Sequence, residues 1–167
     1  QNLKLTPNID EKSVSVQIPT YTKGSEGLTW ELSVFDSGKK IKDATIGYTS
    51  IQQDGDTTTV SAVIPIVGES SSGLKLWSPS SPFLYDLKVK LLKDGKLIDE
   101  VNSYFGMRKI EVKKDKAGIN RLMLNNEPLF QFGPLDQGFW PDGLYTAPSD
   151  EALKYDLELT KKLGFNL

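Results

Sequence analysis

A mainly β fold, an antiparallel sandwich followed by a short β/α segment, is what the sequence predicts, on three observations. Apolar and polar residues alternate up to about Phe105, clusters of Gly, Ser, Asp and Pro interrupt that alternation, and one helical pattern stands near the end. In Ser13–Ile18 the apolar set is Val14, Val16 and Ile18, and in Leu28–Val34 it is Leu28, Trp30, Leu32 and Val34. Each segment therefore has one face to bury. Thr58, Val60, Ala62 and Ile64 repeat the pattern, as do Tyr85, Leu87, Val89 and Leu91, with Asp86, Lys88 and Lys90 between them. Strands covered on one face only point to antiparallel sheets rather than a buried parallel one.

Lys93-Asp-Gly-Lys96 separates the Tyr85 segment from Leu97–Phe105, and Asp-Gly suits the positive φ angles of a tight hairpin, so these two strands are expected to pair. With Leu3–Leu5 and the weaker Lys40–Tyr48 segment, about seven strands fit before Phe105, the number and spacing of an immunoglobulin-like sandwich. Trp30 is expected in its core. Pro79 and Pro82 stiffen the approach to Tyr85 and lack amides for pairing, so Trp77 is expected to cover a sandwich edge rather than stack on a sugar.

After Phe105-Gly106 the pattern changes. Ile110–Val112 and Arg121–Leu124 read as connecting strands, with Asn125-Asn126 supplying left-handed positions of a hairpin into Pro128–Phe132. The convincing helix is Ser149–Leu163. Ser149 is placed to cap it, Asp150 and Glu151 lie in its first turn, Lys161 and Lys162 in its last, and Gly164 stops it. Ala152, Leu153, Leu157, Leu159 and Leu163 give it an apolar side that needs a partner sheet. A strand near Leu129–Phe132, this helix and a strand beginning at Phe165 make a right-handed βαβ unit whose second strand has barely started, and the polypeptide is expected to continue past Leu167. The expected organisation is a sandwich over residues 1–106, connecting strands over 107–131, and a β/α segment over 132–167.

Composition narrows the chemistry. Lys and Arg total 20 against 22 Asp and Glu, a formal charge of -2, with no block of like charge, so nucleic acid is not an expected partner. No apolar run has the ~20 residues of a membrane helix, and no membrane partner is expected. Gln1 opens on polar, alternating sequence rather than a signal peptide. Compartment stays open, with a periplasmic or secreted one favoured over the cytoplasm. There is no cysteine and no histidine, which excludes disulfides, thiolate or histidine metal sites, and Ser-His-Asp or Cys-His catalysis within this chain. Neither a metal nor a cofactor is expected.

The stretch Leu76-Trp-Ser-Pro-Ser-Ser-Pro-Phe-Leu-Tyr85, then Asp99-Glu-Val, Phe105-Gly-Met-Arg-Lys-Ile-Glu-Val112, Leu124-Asn-Asn-Glu-Pro-Leu-Phe130 and Asp156-Leu-Glu-Leu-Thr-Lys-Lys-Leu-Gly-Phe-Asn166, resembles glycoside hydrolase family 2, which includes β-galactosidases, β-glucuronidases and β-mannosidases. The resemblance implies an immunoglobulin-like sandwich followed by the truncated start of a (β/α)8 barrel, in a parent that hydrolyses O-glycosidic bonds by a retaining two-glutamate mechanism. Such a mechanism needs two carboxyl groups about 5 Å apart. Glu127 lies at a hairpin and Glu151 and Glu158 on a helix outside any barrel mouth, so no catalytic residue is expected here and both glutamates would lie beyond Leu167.

The segment Gly133–Tyr145 follows the first barrel strand, and barrel active sites lie at the C-terminal ends of strands. Asp136 and Gln137 are candidate hydrogen-bonding groups for sugar hydroxyls, and Trp140 or Phe139 a candidate stacking face. The competing reading has Phe139, Trp140 and Tyr145 packing against neighbouring barrel elements. Many members of the family carry Asn-Arg-His where this chain has Leu135, Asp136 and Gln137, so no particular sugar carries over. Expected partners are the remaining domains of the parent, carbohydrate, and a second copy through the open barrel edge. The alternative function is a stand-alone immunoglobulin-like carbohydrate-binding or adhesion module.

Overall fold

The computed structural model describes residues 3–21, 26–46, 51–66 and 73–166. The chain divides into two compact units, one of Gln1–Glu111 with Leu124–Asn126, the other of Val112–Met123 with Glu127–Leu167.

Among the described residues the first unit holds eight strands: β1 (Lys4–Asn8), β2 (Ser13–Tyr21), β3 (Leu28–Asp36), β4 (Lys39–Ile46), β5 (Ile51–Asp54), β6 (Thr57–Pro65), β7 (Tyr85–Lys93) and β8 (Lys96–Phe105). They form two four-stranded sheets, ordered β1-β2-β6-β5 and β4-β3-β7-β8, with antiparallel pairing throughout. The alternating apolar sets meet between the sheets: Val14 and Val16 of β2, Trp30, Leu32 and Val34 of β3, Val60 and Ile64 of β6, and Tyr85 and Leu87 of β7 are all buried. Trp30 is at the centre, only 1% exposed, and its indole Nε1 donates to Thr20 Oγ1 at 3.2 Å, which satisfies the one polar atom it buries. The mainly β, sandwich-type architecture expected from alternation is therefore present.

One strand more than expected is found. β5, Ile51-Gln-Gln-Asp54, has no alternation to betray it; it exists because it pairs with β6 across a tight turn, Asp54 facing Thr57. The segment expected at Lys40–Tyr48 forms β4, while Gly47 and Tyr48 lie outside the described residues. The hairpin between β7 and β8 has Asp94 at φ 50° and Gly95 at φ 77°, as the Asp-Gly pair predicts. Gly27, at φ 72°, accepts the Asp94 amide at 2.9 Å on its carbonyl, and a Cβ there would run into the Asp94 carboxylate. Only glycine fits where that loop meets the hairpin.

At the opposite end, Tyr85 stacks with Phe105 at 5.5 Å and meets Phe83 edge-on at 4.9 Å. Its hydroxyl accepts the Lys75 amide at 2.8 Å, and burial raises its pKa. Lys75 Nζ bonds Asp36 at 2.7 Å and lies 4.5 Å from the centre of the Phe83 ring. Trp77 lies beside this cluster: its amide donates to the Met107 carbonyl at 2.9 Å, Arg108 sits 4.6 Å from its ring centre, and a Cβ on Gly106 would press on its side chain at 3.2 Å.

The turn Asn125-Asn126 has both residues at positive φ, 54° and 70°, as its sequence predicts. Asn125 exchanges hydrogen bonds with the Lys109 backbone and donates through Nδ2 to the Trp77 carbonyl at 2.9 Å. Lys109 Nζ reaches Asp10 at 2.8 Å and Asn126 at 3.1 Å, and Asn126 Nδ2 donates to Asp10 at 3.0 Å. Its carboxylate neighbours, Asp10 first, raise the Lys109 pKa.

In the second unit, β9 (Ile110–Lys114), β10 (Asn120–Leu124) and β11 (Glu127–Pro128) form a small sheet ordered β11-β10-β9, with β9 and β10 running across the boundary between the units. Asp115 organises its first turn, accepting from the Ala117 and Ile119 amides and from Arg121 Nε, each at 2.9 Å. Arg121 first, then the Ile119 amide, holds the Asp115 carboxyl below its ordinary range. Helix α1 (Asp150–Lys162) follows, with Ser149 Oγ accepting the Ala152 amide at 3.2 Å and Gly164 at φ 90° beyond its end. The predicted cap and stop are both in place. No residue of α1 is buried: Leu153, Leu157 and Leu163 are all exposed, and the sheet they call for is not among the described residues.

Candidate functional site

The segment Gly133–Tyr145 joins the stretch ending at Phe132 to the cap of α1. That stretch was expected to be a strand. It has no ladder of its own among the described residues: the Leu129 amide donates to the Leu122 carbonyl of β10 at 2.9 Å, and Asn166 holds the rest, its amide donating to the Phe132 carbonyl while its side chain accepts from the Phe132 amide and donates to the Phe130 carbonyl, each at 2.8 Å. Phe132 and Phe165 rings meet at 4.6 Å beside this joint. One asparagine thus fixes where the loop starts.

Within the loop, Asp136 Oδ1 accepts the Gly138 amide at 2.7 Å, closing a turn that leaves Gly138 at φ 65°. Asp136 and Gln137 are both exposed, and Trp140 is half-buried. Trp140 and Leu144 exchange two backbone hydrogen bonds, at 2.7 and 3.1 Å, around Pro141-Asp-Gly143. The turn is tight enough that a Cβ on Gly143 would strike the Thr146 carbonyl, and Leu144 is held at φ 53°. On this small hairpin the Phe139 and Tyr145 rings stand edge to face, 6.0 Å apart and at 90°. Asp136, Gln137 and Trp140 are thus spread over five positions of one loop, and the joined pair is Phe139 with Tyr145, a juxtaposition the sequence conceals because five residues separate them.

The acidic residues weighed as catalytic candidates stand apart from this loop in their bonding. Glu158 pairs with Lys154 at 3.6 Å across one helical turn. Glu151 sits at the helix start, where its own amide and the Ser149 hydroxyl hold its carboxyl below its ordinary range. Glu127 is exposed on β11. Among the described residues, no group of three or more carboxylates stands close enough to hold a metal ion, and no helix is long and apolar enough to cross a membrane.

A second concavity lies in the first unit, where the sandwich is open along β8. This cleft, of about 500 Å³, has Leu3, Ile18 and Leu91 along its walls and Thr20, Asp99 and Ser103 as polar groups. The strand pattern carried no sign of it, because a cleft between sheets depends on which edges are left uncovered.

These features can be set beside known proteins. The sequence profile of the glycosyl hydrolases family 2 matches residues 1–108. A β-galactosidase of Lactococcus lactis is 25% identical over 166 residues, which are 99% of this chain and 14% of that protein. A β-galactosidase of Leuconostoc mesenteroides is 27% identical over 167 residues, 98% of this chain and 15% of its own. The chain thus spans a small part of the relatives it matches. Among solved structures, a glycosyl hydrolase family 2 member from Bacteroides cellulosilyticus superposes with TM-score 0.65 at 23% identity, over 98% of this chain and 22% of that one. A β-glucuronidase from Parabacteroides merdae superposes with TM-score 0.61 at 19% identity, over 98% and 19%. At these identities the superpositions speak for the fold, and the profile match, covering more than half of the sequence, establishes the lineage: the chain belongs to glycosyl hydrolases family 2.

Proposed function

We propose that this chain is the immunoglobulin-like sandwich and the opening of the catalytic barrel of a larger family 2 glycosidase. In this reading the sandwich extends to residue 106, a connector to 131, and the barrel begins at 132. The parent hydrolyses O-glycosidic bonds in carbohydrate with two glutamates in a retaining mechanism, and neither glutamate belongs to this chain. What supports the reading is the family match together with the hairpin loop Gly133–Tyr145, which in a barrel begun at 132 would follow the first strand, where barrel enzymes place substrate contacts. Asp136 and Gln137 would bond sugar hydroxyls and Trp140 would lie against a ring. The activities of the relatives, β-galactosidase above all, favour a β-glycoside without selecting the sugar.

The test is a comparison of two proteins on 4-nitrophenyl β-glycosides. The isolated chain is expected to release no nitrophenol, and the complete polypeptide to release it; turnover by the isolated chain would end the proposal. The open edge near Phe132 is also where a second copy would pair, which sedimentation velocity at rising concentration reads directly.

A second reading, a stand-alone carbohydrate-binding module, draws support from the cleft of about 500 Å³ along β8. Glycan-array binding by a shortened chain ending near Lys114, lost in Asp99→Ala, would favour it over the first.

A further inference from the structure

We propose that the Phe139–Tyr145 pair is a ring-stacking platform for a pyranose of the substrate, an inference that rests on the glycosidase reading and adds a contact to it. The two rings brace each other edge to face at 6.0 Å and yet leave 62% of Phe139 and 82% of Tyr145 to solvent.

The mounting is built, not loose. Two backbone hydrogen bonds close Trp140 on Leu144, the Thr146 amide donates to the Gly143 carbonyl at 2.9 Å, and Gly143 has no room for a Cβ. Leu144 occupies the left-handed region at φ 53°, a conformation an ordinary L residue keeps only where its surroundings hold it. Tyr145 follows directly and so is carried on a closed turn. Rigid presentation lowers the entropy lost when a ligand is bound.

The neighbouring chemistry says which ligand. Asp136 and Gln137 precede the pair in the same loop and present a carboxylate and an amide to solvent, so one short segment offers an apolar face beside acceptors and donors. A pyranose has that combination: a C–H face and a rim of hydroxyls. A purely packing surface has no need of the polar half.

The experiment uses the complete polypeptide, with 4-nitrophenyl β-D-galactoside, glucuronide and mannoside as substrates and the matching methyl β-D-glycosides as competitors, whose only ring is the pyranose. Tyr145→Leu keeps apolar bulk and removes the flat face; it is expected to raise KM and the methyl glycoside inhibition constant together, roughly five- to tenfold, with the thermal midpoint unchanged. Tyr145→Phe is expected to retain wild-type values. Unchanged constants in a folded Tyr145→Leu protein overturn the proposal, as does a rise confined to the nitrophenyl substrates, which would assign the platform to the leaving group. Failure of Tyr145→Leu to fold also overturns it, since the ring is then packing. A complete polypeptide that hydrolyses none of the three glycosides ends the glycosidase reading alone; platform binding is then read by saturation-transfer NMR on the methyl glycosides, where equal transfer in wild type and Tyr145→Leu overturns it.

Discussion

The two units write the same kind of pattern in their sequences and reach opposite ends. Trp30, Leu32 and Val34 recur at period two in β3 and are at most 1% exposed, whereas Leu153, Leu157 and Leu163 recur on one side of α1 and are 47% exposed or more. Amphipathic patterning states which face seeks cover. It does not state whether the cover lies in the same stretch of chain. In the first unit a second sheet supplies it; in the second unit it is missing among the described residues. Stability should therefore be concentrated in the sandwich.

The largest effect that would break this comparison is in the core. Trp30→Ala is expected to cost about 3–5 kcal/mol in urea denaturation, because it deletes the central side chain and strands its packing neighbours. Leu157→Ala in the same chain is expected to stay within about 0.5 kcal/mol, since nothing covers Leu157. Equal losses at the two positions would show that α1 finds cover in solution. Amide exchange sharpens the point: α1 amides are expected to exchange well ahead of those in β3 and β7 of the same sample. Protection of Leu153 to match Val89 in a monomer would contradict it.

Smaller effects probe the local devices of the second unit. Ser149→Ala removes the acceptor for the Ala152 amide and should weaken α1 by about 1 kcal/mol, read as lost ellipticity at 222 nm. Asp115 gives a pH signature. Its carboxyl is held below the ordinary range, by Arg121 first, so what it contributes is complete above the pKa of an unfolded aspartate and disappears as pH falls through the lowered folded value. Exchange protection of the Ile119 amide is therefore expected to differ between wild type and Asp115→Asn at neutral pH and to converge in acid. A difference that persists or grows in acid would reverse the sign and refute the assignment.

Much of this was legible in the residues. Period-two runs located β2, β3, β6 and β7, Asp94-Gly95 and Asn125-Asn126 located two turns, and Ser149 and Gly164 bracketed α1, because each of these depends on a local conformational preference. β5 was not legible, since Gln52 and Gln53 say nothing and the strand is made by its partner. The stretch before Gly133 reads as a strand by composition but has no ladder to join, and its anchor is Asn166, thirty-four residues away from Phe132. For the site, sequence could nominate Asp136, Gln137 and Trp140 from their place in the loop. It could not pair Phe139 with Tyr145, because that contact depends on the Trp140–Leu144 closure.

One residue of the cleft has a further meaning. Asp99 lies on β8 opposite Leu91, in line with Val101 opposite Val89 and Phe105 opposite Tyr85, so it stands on the core-facing side of a ten-residue edge strand. Leu97, Ile98, Val101 and Tyr104 are all exposed on that strand, which makes it a template on which another chain could zip. A charge on the inner face spoils such a match, since a partner strand would have to bury it. Asp99 thus stands where edge strands use an inward charge to discourage strand-by-strand aggregation.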